Sequence, residues 1–164
     1  YDVIHVLNRY FDLIGTAITA NGGFINNYMG DGFMALFGVD GQPDAALRAV
    51  RAGLRMLELV EKFKPYLLNT YHKTFEIGIG VHYGEAVVGP IGARHNKSMT
   101  AIGDAVNFAS RIESANKEAE TSFLISADTY NQVRDQVVTG KQTCVSIKGK
   151  SGQYDLFEVL GLQE

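Results

Sequence analysis

The sequence predicts an α+β fold, a mostly antiparallel sheet covered by helices, on three observations. Apolar residues recur at three- and four-residue spacings in some segments and alternate in others. Glycine and proline punctuate the boundaries between these segments. No internal repeat or linker divides the 164 residues, of which 46% are hydrophobic and 20% charged, so one domain over residues 1–164 with a sizeable core is expected.

Ile4, Leu7, Phe11, Ile14 and Ile18 line one face of a first helix that stops at Asn21-Gly22-Gly23, where glycine supplies a C-terminal cap. Tyr28-Met29 and Phe33-Met34-Ala35-Leu36-Phe37 are strand-like runs flanking Gly30-Asp31-Gly32, an Asp-Gly turn suited to a tight hairpin. Pro43 is expected to open a second helix with Ala46, Val50, Leu54, Leu57 and Val60 as its stripe, ending before Pro65. Thr74 to Val88 reads as strand, with Ile77, Ile79 and Val81 alternating and Gly84-Glu85 as a turn. A third helix is predicted from Ala105 to about Asn116, with Asp104 as its N-cap and Val106, Ala109 and Ile112 as its apolar stripe. Phe123-Leu124-Ile125 is a brief buried strand and Ala127 to Val133 a helix. Val145 to Lys148 and Tyr154 to Val159 are a closing strand pair.

Composition excludes several function classes. The net charge is −3 and the basic residues are scattered, so no stripe suits a nucleic-acid backbone. The lone cysteine, Cys144, can form no internal disulfide and fits a reducing, cytoplasmic compartment. No apolar run approaches the ~18 residues that would span a bilayer, so no direct membrane contact is expected of this segment. His82 lies in a strand beside glycines and reads as a core or supporting histidine, while His5, His72 and His95 read as surface residues.

Two constellations point to chemistry. Asp31 stands between two glycines at a hairpin tip, an arrangement that fits ordinary turn chemistry and also a rigidly presented carboxylate. Asn107 and Arg111 are four apart on one helix face, which suits a solvated polar face or a paired amide and guanidinium aimed at one ligand.

Four motifs in order resemble the class III nucleotidyl cyclase catalytic domain over nearly the whole chain. They are Asn27-Tyr28-Met29-Gly30-Asp31-Gly32-Phe33, Ile79-Gly80-Val81-His82-Tyr83-Gly84-Glu85, Ile102-Gly103-Asp104-Ala105-Val106-Asn107-Phe108-Ala109-Ser110-Arg111, and Ile147-Lys148-Gly149-Lys150. The resemblance implies a ferredoxin-like βαββαβ-type fold and conversion of a nucleoside triphosphate into a 3′,5′-cyclic monophosphate and pyrophosphate, with two divalent metal ions, Mg²⁺ or Mn²⁺. By it Asp31 is a metal-bridging carboxylate, Asn107 orients the ribose, Arg111 meets the α-phosphate, and Lys148 binds the β- and γ-phosphates, with Lys150 a weaker substitute. The family's second metal aspartate belongs to a segment expected upstream of Tyr1, together with the first strand, so the chain reads as the later part of a longer domain.

The resemblance also implies a head-to-tail homodimer through the catalytic face, Asp31 of one copy serving a site completed by Asn107, Arg111 and Lys148 of the other. Asn27 and Thr100 take the base-selecting positions. An amide that donates to adenine N1 and a hydroxyl that accepts from its amino group favour ATP, with GTP the alternative because Asn27 can turn its oxygen inward. A third reading is a cyclase-fold regulatory or dimerisation module without turnover.

Overall fold

The computed structural model describes residues 2–29, 32–92, 94, 98–147 and 149–164. The expected site residues Asp31 and Lys148, and the expected surface residue His95, lie outside these. The chain divides into two compact units, residues 1–77 and 78–164.

In the first unit, helix α1 (Asp2–Ala20) packs against helix α2 (Ala45–Tyr71), and the hairpin of β1 (Phe24–Met29) and β2 (Gly32–Leu36) lies between them in sequence. Burial removes apolar area from water at about 25 cal/mol per Å², so the helices are held through their stripes. Tyr10, Ile14, Ala17 and Ile18 supply one stripe; Val50, Met56, Val60, Phe63 and Leu67 supply most of the other. The expected α1 face thus holds in its second half only, since Ile4 is 64% exposed.

The glycine stop forms as predicted. Gly22 takes φ +80° and the Gly23 N–H donates to the Ile18 carbonyl at 3.0 Å. Arg48 then ties this corner to the start of α2, donating to the carbonyls of Asn21 (3.2 Å), Gly22 (3.3 Å), Gln42 (3.2 Å) and Pro43 (3.0 Å). The hairpin ladder is antiparallel and closes at Met29↔Gly32, with a register shift between Ile25 and Asn27.

Two helix boundaries differ from expectation. The second helix begins at Ala45, after a left-handed Asp44, and it runs through Pro65 to Tyr71. Proline removes one backbone donor from a helix interior and costs about 3 kcal/mol. Here the apolar stripe continues on both sides of it, with Phe63 and Leu67 buried, and Phe75 sets its ring edge-on to Tyr10 at 5.2 Å. Packing of those last turns outweighs the missing bond.

The second unit is built on a four-stranded sheet of order β3-β6-β8-β7, formed by β3 (Ile79–Val81), β6 (Phe123–Ser126), β8 (Gln153–Leu162) and β7 (Val137–Ser146). β3 is parallel to β6, and the other pairings are antiparallel. A separate hairpin joins β4 (Val87–Ile91) to β5 (Ser98–Ile102). Helix α3 (Asp104–Ala119) packs on β3, β6 and β7, and the short α4 (Ala127–Val133) packs on β6 and β8. Phe108, Ile112, Ala115, Leu124, Val145 and Leu156 make the core between them.

The strand predicted over Thr74 to Val88 is shorter than expected. Only Ile79–Val81 and the first residues of β4 are strand, because the partner β6 has four residues and gives the ladder nothing to pair with farther back. The closing pair is longer than predicted, ten residues each, because the exposed positions along β7 mask its alternation.

Glycine is required where β3 meets α3. A Cβ at Gly80 would run into the Glu113 backbone nitrogen and reach Glu113 Cα and Ile112 C at 2.9 Å. Asn116, only 4% exposed, completes the seam by donating to the Ile79 carbonyl at 2.9 Å and accepting from Thr121 Oγ1 at 2.8 Å. Gly80→Ala is therefore expected to lower the unfolding free energy by about 3 kcal/mol or more in denaturant titration, with an insoluble product the extreme case. Pro65→Ala is expected to raise it, by up to about 3 kcal/mol, because it restores a backbone donor inside α2; a loss of stability would show that the proline ring's own packing dominates.

Candidate active site

Asn107 and Arg111 are presented by α3 because the opposite side of that helix is held in the core by Phe108, Ile112, Ala115 and Asn116. The buried stripe is thus shifted from the predicted one, since Val106 and Ala109 are only half-buried. Asn107 is exposed and Arg111 half-buried one turn further along. Both line a cleft of about 570 Å³. His82, Gly84 and Glu85 form one wall of it, from the loop after β3. Asp104 and Ala105 contribute from the start of α3, Asp128 from α4, and Ile147, Lys150 and Tyr154 from the β7–β8 side.

The first turn of α3 departs from the predicted cap. Gly103, with φ +128°, occupies the N-cap position and makes no side-chain cap bond, so Asp104 becomes the first helical residue. Its carboxylate lies 3.2 Å from Lys150 Nζ, and the two side chains are 83% and 47% exposed. The helix N-terminus still favours a negative charge there. Lys150 is thereby brought to the same cleft as Asn107 and Arg111.

His82 is held by both a hydrogen bond and ring packing. Its Nδ1 is 2.8 Å from Ser126 Oγ, and Ser126 in turn caps α4 by accepting the Thr129 N–H at 3.2 Å. Its ring packs on Phe108 with centroids 4.6 Å apart, and Phe108 meets the Tyr154 ring at 5.4 Å. Burial lowers the His82 pKa below its ordinary 6.5, and the Asp128 carboxylate opposes that shift more weakly. The sequence marked His82 as a supporting residue, but the long-range contact with Ser126 has no local signal.

Thr100 is half-buried on β5, opposite Gly89, and is not among the cleft-lining residues. Asn27 belongs to β1, opposite Met34, and its side chain lies outside the described residues. Among the described residues no group of three His, Cys, Asp or Glu gathers to hold a metal ion. A hard divalent cation calls for oxygen donors held in place, and the carboxylate of Asp31 has that donor chemistry, while the described antiparallel ladder closes at Met29↔Gly32. No described helix is long and apolar enough to cross a membrane.

Glu85, Asp128 and Tyr154 are cleft residues that sequence reasoning did not single out as functional. Asp128 and Tyr154 come from separate elements, and only the sheet brings them to α3.

Comparison with known proteins gives a consistent family. Residues 1–159 match the model of the adenylate and guanylate cyclase catalytic domain. The terminal-differentiation-specific adenylate cyclase of Dictyostelium discoideum is 33% identical over 162 residues, covering 97% of this chain and 8% of that protein. Adenylate cyclase 1 of Rhizobium meliloti is 34% identical over 162 residues, covering 98% of this chain and 24% of that protein. The chain therefore spans about a quarter or less of the length of these two relatives. Among solved structures, the guanylyl cyclase Cya2 superposes with a TM-score of 0.91 at 34% identity, covering 99% of this chain and 82% of that one.

Two outcomes follow from the site's electrostatics. Since the unfolded chain binds a proton on His82 at a higher pH than the folded chain does, stability is expected to fall as pH drops through about 6.5 toward the lowered folded value. A His82→Asn variant should show a shallower decline between about pH 7.5 and about pH 5.5 in thermal melts, and a parallel decline would remove His82 as its cause. Asp104→Asn should change stability by no more than about 1 kcal/mol, because the Lys150 pair is exposed.

Proposed function

The chain belongs to the adenylate and guanylate cyclase catalytic domain family, and on that premise we propose that it is an adenylate cyclase catalytic domain, converting ATP to 3′,5′-cyclic AMP and pyrophosphate in a homodimer. The carrying observation is that Asn107 and Arg111 share one face of α3 and open on one cleft together with the cation of Lys150. A planar amide and a guanidinium one helical turn apart suit a ribose and the phosphate attached to it.

The reaction joins the ribose 3′-oxygen to the α-phosphorus as the bond to pyrophosphate breaks, and the 3′-hydroxyl proton passes to solvent or to the departing pyrophosphate. Asn107 orients the ribose so that the 3′-oxygen lies in line with the leaving group; holding that geometry lowers the entropic part of the barrier. Arg111 donates to the α-phosphate oxygens as negative charge builds there, and its high pKa keeps it a donor throughout. Lys148 neutralises the β- and γ-phosphates, with Lys150 the nearby alternative. Asp31 is the carboxylate that would hold divalent metal, Mg²⁺ or Mn²⁺, which would supply activation of the attacking hydroxyl and offset triphosphate charge. Asp31 of one copy works with Asn107, Arg111 and Lys148 of the other, so the dimer is the active unit and the two units of each chain act as one catalytic domain.

ATP is preferred on the chemistry of Asn27, an amide donor for adenine N1, and of Thr100, a hydroxyl acceptor for its amino group. The names of the Dictyostelium and Rhizobium relatives, both adenylate cyclases, support this reading. Cya2 is a guanylyl cyclase of equal identity, which favours GTP as the second substrate to test. In the cell the domain is placed in the cytoplasm, where its triphosphate is available.

The test is turnover of ATP and of GTP, assayed separately with Mn²⁺ and resolved by product. Cyclic AMP should dominate, and Arg111→Ala should reduce kcat by about 10²–10³ with a smaller change in KM. Asp31→Ala should be silent. Predominant cyclic GMP would overturn the base assignment and leave the mechanism. A folded, dimeric protein that makes neither product would overturn the catalytic reading in favour of a regulatory module.

A further inference from the structure

The hydrogen-bond chain behind the cleft fixes more than the location of His82. Four contacts link it in series. His82 Nδ1 is 2.8 Å from Ser126 Oγ, and Ser126 Oγ is 3.0 Å from Thr129 Oγ1. Thr129 Oγ1 donates to the Val81 carbonyl at 3.2 Å, and the Thr129 N–H donates to Ser126 Oγ at 3.2 Å. Ser126 and Thr129 are buried, at 1% and 0% exposure, so water does not share in these contacts.

A carbonyl only accepts, so the single hydroxyl proton of Thr129 is committed to Val81. The contact between the two hydroxyls must then be donated by Ser126. That commits the only proton Ser126 has, and its remaining lone pairs accept from the Thr129 N–H and from His82. Nδ1 of His82 therefore carries a proton, and this is the one assignment in which all four contacts are hydrogen bonds. The other nitrogen, Nε2, faces Gly84, where a Cβ would stand 2.7 Å from it. Glycine at 84 leaves room for the ring, and a neutral imidazole leaves Nε2 with a lone pair there.

The ring so fixed is wedged against Phe108, which follows Asn107 and lies three residues before Arg111 on α3. We propose that His82 is a positioning residue for the site: a neutral imidazole protonated on Nδ1 alone, locked to the N-cap of α4 and, through Phe108, setting where Asn107 and Arg111 stand in the cleft. This rests on the cyclase reading for its kinetic consequence and on the hydrogen-bond chain for its structural one. Among the described residues, the charged and titratable groups lining the cleft with His82 are Glu85 on its own loop, Asp104 and Arg111 on α3, Asp128 on α4, and Lys150 and Tyr154 on the β7–β8 side. Of these, the Asp128 carboxylate tempers the effect of burial without reversing it.

Two measurements test the proposal, one of them without turnover. In protein labelled with ¹⁵N-histidine, His82 should show the Nδ1–H tautomer near neutral pH. The Asn107 side-chain amide and Arg111 Nε–H resonances should move in step with its titration below about pH 6.5, and should be still in His82→Phe. An Nε2–H tautomer, or Asn107 and Arg111 signals indifferent to that titration, would overturn the proposal even if His82→Phe fails to fold. In the kinetic arm, folded His82→Phe keeps a ring against Phe108 and loses the donor to Ser126. It should lower kcat for cyclic nucleotide formation about tenfold with KM within about twofold, and lose the acidic limb of the wild-type pH profile. Unchanged kcat in that folded variant would sink the positioning role. A wild-type protein without cyclase activity would refute the functional reading, while the nuclear magnetic resonance arm would still decide this one.

Discussion

The backbone of β3 passes so close to α3 that nothing larger than a hydrogen fits between them at Gly80, and the second unit is organised around that seam. Close approach lets Asn116 bridge helix and strand, donating to the Ile79 carbonyl on an edge of β3. It also delivers the chain directly from β3 to His82, on the wall of the cleft whose floor is α3. The candidate site residues on α3 are thereby placed by main-chain geometry. Side chains of the core, Phe108 and Ile112 above all, then fix the rotation of the helix about its axis.

Rotation matters because the two candidate groups differ in what they can tolerate. Arg111 has a long stem and five donors, so it can follow a phosphate through small displacements. Asn107 has a short side chain and two rotatable bonds, and its usefulness depends on where the helix puts it. Phe108 lies between them and is itself held from two sides, by His82 and by Tyr154. A helix pinned in this way presents an ordered polar face without a polar core beneath it, and the only buried polar side chain on α3, Asn116, is fully occupied at the seam.

The charges of the cleft are arranged for exchange. Arg111 and Lys150 face Glu85, Asp104 and Asp128, and the one described ion pair among them, Lys150 with Asp104, is mostly exposed. Such a pair contributes on the order of 0–1 kcal/mol, so Lys150 is held there only weakly. The acids keep the cleft from being strongly cationic, in agreement with the net charge of −3 and the scattered lysines and arginines.

Much of this was written locally. The glycine stop at Gly22-Gly23, the α4 helix with its short strand before it, and the spacing of Asn107 and Arg111 depend on neighbours within one or two turns, and sequence read them correctly. The resemblance of four ordered motifs identified the family, because the motifs hold residue types whose spacing is set by chemistry. Tertiary structure decided what local rules left open. Pro65 stays inside α2 because buried Phe63 and Leu67 continue the stripe past it. Asp104 yields the cap position to Gly103 because the chain must turn with a positive φ there. His82 reaches Ser126 across 44 residues through the pairing of β3 with β6, a parallel contact whose cost and reward lie wholly in long-range packing. Periodicity and capping are short-range physics and can be read from a string of residues. The site's second layer comes from strands that meet only after the chain has folded.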